Sequence, residues 1–200
     1  MNNVLRMLLV ATAALLIGLA PAWAVPLTAA ELARLVAGEV IFSIVPDDRG
    51  AAGRIEAAID IPAPPPTVWR VMLDCARAAR FVSGLESCRI VEADPAGRWD
   101  VREHRINMLT LVPRLRNVFR SSYEPHRTIA FSRVDGDLSI LEGAWRLEPI
   151  QAGAGTRLRY EARIGLAAPI PDFIVRGAVE SDLPRMLKAL SQEVTGHARR

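Results

Sequence analysis

Apolar and polar residues alternate along Gly53 to Asp60: Ile55, Ala57, Ile59 and Ile61 share one side, while Arg54, Glu56, Ala58 and Asp60 share the other. A period of two marks a half-buried strand. The alternation is clearest from Thr156 to Leu166, where Leu158, Tyr160, Ala162 and Ile164 oppose Arg157, Arg159, Glu161 and Arg163. Between these two stretches the chain reads as strands at Ser87–Glu92, Arg98–Met108, Arg114–Tyr123, Thr128–Val134 and Leu138–Leu147. The turns between them are Asp94-Pro95-Ala96-Gly97, Glu124-Pro125-His126 and Asp135-Gly136, all built from residues that favour chain reversal.

The period changes after Pro169. Val175, Val179, Leu183, Met186, Leu187, Leu190 and Val194 recur at steps of three and four, which predicts a long helix with one apolar stripe. Most of its charged residues, Glu180 and Glu193 among them, are expected on the opposite face. Pro184 predicts a kink or a restart near Ser181 to Leu183. Shorter helices are expected at Thr67–Asp74 and Ala76–Phe81, and another after Thr28, where Thr28-Ala29-Ala30-Glu31 forms a capping box. Val40 to Val45 reads as a further strand. Hairpin-linked strands closed by one long helix predict an α+β domain of two layers, an antiparallel sheet with its greasy face against the helix.

Half of the 200 residues are hydrophobic and the net charge is +3, too balanced to favour nucleic acid. Residues 1–24 have the form of a secretory signal peptide: Arg6, an apolar run from Met7 to Ala20, and an A-x-A site ending at Ala24. The mature chain is then expected to start at Val25 in the periplasm or outside the cell. It divides into an extension, 25–45, and the main domain, 46–200. The two cysteines, Cys75 and Cys88, then form either a disulfide or two separately buried thiols.

The segment Gly53 to Asp74 narrows the fold. Its strand, the Ala63-Pro64 break, Val68-Trp69 and Leu73-Asp74 resemble the opening of the START-like helix-grip superfamily, also called SRPBCC. That group includes birch-pollen-allergen-type proteins, polyketide cyclases and coenzyme Q-binding proteins. Arg80-Phe81-Val82 with Gly84-Leu85, Gly143-Ala144-Trp145-Arg146-Leu147, Gly155-Thr156-Arg157-Leu158 and Asp182 through Leu190 extend the likeness from about Val40 to Val194. The resemblance implies a curved sheet gripping the long helix, with a cavity for an apolar ligand between them. The signal peptide and the 28–45 segment depart from the cytosolic and mitochondrial members.

A binding cavity needs apolar walls and a few polar groups that orient the ligand. Trp69, Trp145, Tyr160, Ile174, Met186 and Leu187 are candidate walls. Glu103 and Arg105 are candidate partners at a ligand head group, because buried polar groups must be paired; Asn117 and Tyr123 share the apolar-looking side of the next strand. The greasy connections containing Leu109, Leu111, Ile170 and Phe173 are candidate portals, with transient membrane contact as a corollary. His104, His126 and His197 lack metal-ligand spacing, and no cofactor is expected. The pattern predicts a carrier or sensor of a lipid or other hydrophobic small molecule. The alternatives are a polyketide cyclase or dehydratase, for which Tyr160 or His104 is the candidate acid or base, and an assembly protein with a filled core.

Overall fold

The computed structural model describes residues 26–47, 51, 53–107, 114–167 and 171–196. The expected signal peptide lies outside these residues. Eight antiparallel strands form one sheet in the order β1-β2-β8-β7-β6-β5-β4-β3. They are β1 (Ile41–Val45), β2 (Gly53–Ile61), β3 (Leu85–Ala93), β4 (Trp99–Ile106), β5 (Leu115–Glu124), β6 (Thr128–Gly136), β7 (Leu138–Ile150) and β8 (Gly155–Leu166). The helices are α1 (Ala29–Val36), α2 (Pro65–Leu73), α3 (Cys75–Ala78) and α4 (Asp172–Thr195).

β2 and β8 pair over nine residues, from Gly53 opposite Ile164 to Ile61 opposite Thr156. That register places Ile55, Ala57, Ile59, Leu158, Tyr160 and Ala162 on one face, where Leu183, Leu187 and Leu190 of α4 complete the main core. Burying a Leu side chain this way contributes roughly 2 kcal/mol. The opposite face of β2 and β8 carries charges in pairs. Arg157 grips Asp60 at 2.8 and 2.9 Å, Arg146 meets Glu161 at 3.0 Å, and Arg163 reaches Asp47 and Glu142. The arginine row is thus matched by acids. α1 lies on this same face, where Leu35, Ile41 and Ala58 form a small second core. Its capping box is formed as the sequence predicts, with Thr28 N–H donating to Glu31 at 2.8 Å and Glu31 N–H donating to Thr28 Oγ1 at 3.2 Å.

Three expectations change. α4 does not restart at Pro184 but continues through it as one helix, with Leu183 and Leu187 anchored in the core on either side of the missing N–H. Glu193 is buried, drawn inward by Arg80 at 3.2 Å and Arg77 at 3.7 Å; these arginines follow α2 in the chain and lie far from Glu193 in sequence. The third hairpin turns one residue later than Asp135-Gly136, since β6 continues through Gly136. That glycine has φ +106°, and a Cβ there would stand 2.1 Å from the Arg116 carbonyl oxygen.

Cys75 at the start of α3 is disulfide-bonded to Cys88 of β3, with Cα atoms 5.4 Å apart. The bridge fastens the short helices to the far edge of the sheet.

Candidate functional site

α4 does not fill the sheet's concave face. A cavity of about 260 Å³ remains between them, walled by Ile55, Phe119, Phe131, Leu138, Leu141, Trp145 and Ile164 from the sheet and by Val179, Leu183 and Met186 from α4. An adjoining hollow of about 140 Å³ reaches under α2 and α3 to Met72, Leu73, Ala78 and Phe81. The two share Val82, His104, Phe119, Phe131, Trp145 and Met186 as walls.

Trp145 and Tyr160 face each other across β7 and β8, with ring centroids 4.2 Å apart. Phe131 stacks on the same tyrosine at 6.1 Å. Burial pushes the Tyr160 hydroxyl far above its ordinary pKa, so it stays protonated. Trp145, Tyr160, Met186 and Asn117 all line the cavity.

Glu103 and Arg105 do not. They bond to each other at 3.3 Å, but on the opposite face of the sheet. There Glu103 lies under Arg89, Arg105 and Arg116, and the Arg116 guanidinium holds its carboxyl below the usual range. β4 carries charged residues on both faces, so its alternation alone could not tell inside from outside. Pairing decides it: His104 stands opposite Asn117 and Arg102 opposite Phe119. The inward residues are therefore Asp100, Arg102, His104 and Ile106.

Arg102 and Asp100 are both buried and joined through two nitrogens, Nε to Oδ1 at 2.9 Å and Nη2 to Oδ2 at 2.8 Å. Arg102 Nη2 also donates to the Tyr123 hydroxyl at 3.1 Å. Burial pushes the Tyr123 pKa up to about 12. Trp69 packs edge-on against Tyr123 and His126, each at 5.8 Å, so it covers this cluster and lines neither hollow.

Two other expected wall residues are placed elsewhere. Leu187 is fully buried in the core beside the cavity. Ile174 is 37% exposed, because the stripe running back from Leu183 passes through Val179 and Val175 and leaves Ile174 one position off it. Phe173, in the first turn of α4, is 67% exposed, while Leu109, Leu111 and Ile170 lie outside the described residues. Phe131, Leu138 and Val82 were not expected as walls. Alternation through Ile129 and Phe131 was a usable signal for the first; Asp100, between Trp99 and Val101, gave none.

His104 sits edge-on to Phe119 at 4.9 Å. Burial, with the Arg102 charge adding to it, lowers its pKa to about 4, so the ring is neutral near pH 7. Its Nε2 and the Oδ1 of Asn117 are buried without hydrogen-bond partners among the described residues. Among those residues no group of three His, Cys, Asp or Glu side chains is placed to hold a metal. Nor is any described helix long and apolar enough to cross a membrane.

Solved structures share this architecture. A STAR-related lipid transfer protein from Xanthomonas axonopodis superposes with a TM-score of 0.66 at 14% identity, covering 78% of this chain and 93% of that one. A START superfamily protein from Mycobacterium smegmatis gives 0.63 at 15%, covering 72% and 98%. The Zhui aromatase/cyclase from a Streptomyces species gives 0.58 at 20%, covering 74% and 93%. At these identities the likeness is one of fold. No curated protein matches the chain. The family described as polyketide cyclase / dehydrase and lipid transport matches residues 61–191, from the end of β2 into the last turns of α4. The chain therefore belongs to that family and has the START-like helix-grip fold.

Proposed function

We propose that the protein holds a lipid or other hydrophobic small molecule between its sheet and α4, for transport or sensing in an exported compartment. The observation that carries this reading is the cavity itself, whose walls are almost wholly apolar. Water gains little in such a space and an apolar ligand gains the burial of its surface. The lipid-transfer description of the Xanthomonas structure and the family's own description support the same ligand class. Export is supported by the apolar N-terminal run and by the Cys75–Cys88 bridge, which suits an oxidising compartment.

Native mass spectrometry of protein purified from the exported fraction tests both parts. The expected result is a chain beginning at Val25 with one apolar molecule bound, identified after extraction. An apo mass that takes up nothing from a lipid extract would overturn the carrier reading, an intact N-terminus would overturn cleavage after Ala24, and absence of the protein from the exported fraction would overturn export.

A second reading, a cyclase or dehydratase, is favoured by one observation: a neutral His104 beside a buried Arg102 on the cavity wall. Acid–base chemistry needs such a group within reach of the substrate. Incubation with a linear polyketone, followed by mass spectrometry for loss of water, tests it. Turnover that survives His104→Phe would exclude His104 as the acid or base.

A further inference from the structure

His104 and Asn117 occupy one register position across β4 and β5, and both open into the same cavity. Asn117 is only 6% exposed. Buried polar atoms in folded proteins nearly always have partners, yet His104 Nε2 and Asn117 Oδ1 have none among the described residues. Phe119 lies against the imidazole, and the cavity the pair opens into is walled mainly by apolar side chains, with Ser83, Tyr160 and Asp182 as its other polar residues. No described residue supplies a partner for this pair, and the space it opens onto is the cavity.

Resting on the cavity reading above, we propose that the ligand carries one neutral hydroxyl, an alcohol or a phenol, on an otherwise apolar body, and that the hydroxyl seats at His104 and Asn117. The carboxamide oxygen accepts only, so it requires a donor. The imidazole nitrogen donates or accepts according to tautomer. One hydroxyl satisfies both atoms when the ring carries its proton on Nε2, by donating to Asn117 Oδ1 and accepting from His104 Nε2–H. A carboxylate fits badly, because it has no proton for Asn117 Oδ1. The nearest inward cation is Arg102, which is committed to Asp100 and Tyr123. Burial keeps the imidazole itself uncharged. Asp182, also on the cavity wall, repels an anion further, although Arg185 partly neutralises it.

Isothermal titration with para-hexylphenol, hexylbenzene and para-hexylbenzoate, three probes sharing one apolar body, tests the assignment. The phenol is expected to bind about tenfold more tightly than hexylbenzene, the factor one good hydrogen bond contributes, and the benzoate more weakly than either. Asn117→Leu and His104→Phe are each expected to shrink the phenol's advantage over hexylbenzene toward none, whatever the change in hexylbenzene itself. Should either variant fail to fold by circular dichroism, the other and the wild-type comparison decide. If hexylbenzene or the benzoate matches the phenol on wild-type protein, the hydroxyl assignment is wrong and the cavity reading stands. If folded protein binds none of the three, both are wrong.

Discussion

Asp100 and Arg102, two positions apart on β4, form a buried two-point ion pair on the cavity side of the sheet, with Nη2 to Oδ2 at 2.8 Å. Neither side chain reads as interior from sequence. Each is buried because the other neutralises it and because the Tyr123 hydroxyl takes a further Arg102 hydrogen. Removing one member of such a pair leaves a charge in a place that cannot solvate it. Asp100→Ala is therefore expected to lower unfolding stability by about 3 kcal/mol or more, read as a fall in the urea midpoint. Replacing both residues by apolar ones of similar volume is expected to cost far less, and an equally large loss in the double variant would count against this account.

His104 makes stability depend on pH. Its pKa falls from an ordinary 6.5 to about 4 in the fold, through burial first and the Arg102 charge second. Above the ordinary value both folded and unfolded chains keep the ring neutral, and nothing is lost. As pH falls through that value, the unfolded chain takes up a proton that the fold refuses. Stability then declines until about pH 4, by on the order of 3 kcal/mol in full. His104→Phe is expected to flatten this part of the profile. Urea unfolding of both proteins from neutral pH down to about pH 4 measures it, and parallel slopes would refute the role.

The Cys75–Cys88 bridge closes a loop of sequence separation 13 and is expected to contribute about 3 kcal/mol. The double variant Cys75→Ala/Cys88→Ala should lose that amount in a denaturant titration. Adding a thiol reductant should bring wild type down to the variant and leave the variant unmoved. Since Ala78 and Phe81, just beyond Cys75, wall the smaller hollow, hydrogen exchange is expected to quicken first in α2 and α3.

Filling the cavity separates binding from folding. Val179 projects from α4 into the larger hollow, and Val179→Phe would occupy space a ligand needs. Thermal stability is expected to hold or rise slightly, as cavity-filling changes often do, while uptake of apolar probes drops by about tenfold or more. Unimpaired uptake would place the ligand elsewhere.

Much of this architecture was legible in the order of residues. The alternation of β2 and β8, the stripe of α4, the Thr28–Glu31 cap and the sequence of turns are local signals, and each depends on neighbours within a few positions. They sufficed for a two-layer α+β domain, to which the family resemblance added the helix grip, and they placed Tyr160, Trp145, Asn117 and Met186 on the apolar side. What they left undecided is which side of β4 faces the helix. That strand carries polar residues on both faces, and only its pairing with β5 put Asp100, Arg102 and His104 inside and Glu103 with Arg105 outside. Glu193 lies inside for the same reason, since its partners Arg77 and Arg80 are more than a hundred residues away and meet it only when α4 closes on α3. Local periodicity determined the elements because it is written in successive side chains. The polar interior was decided by long-range pairing, because a buried charge is stable only where a distant part of the chain supplies its partner.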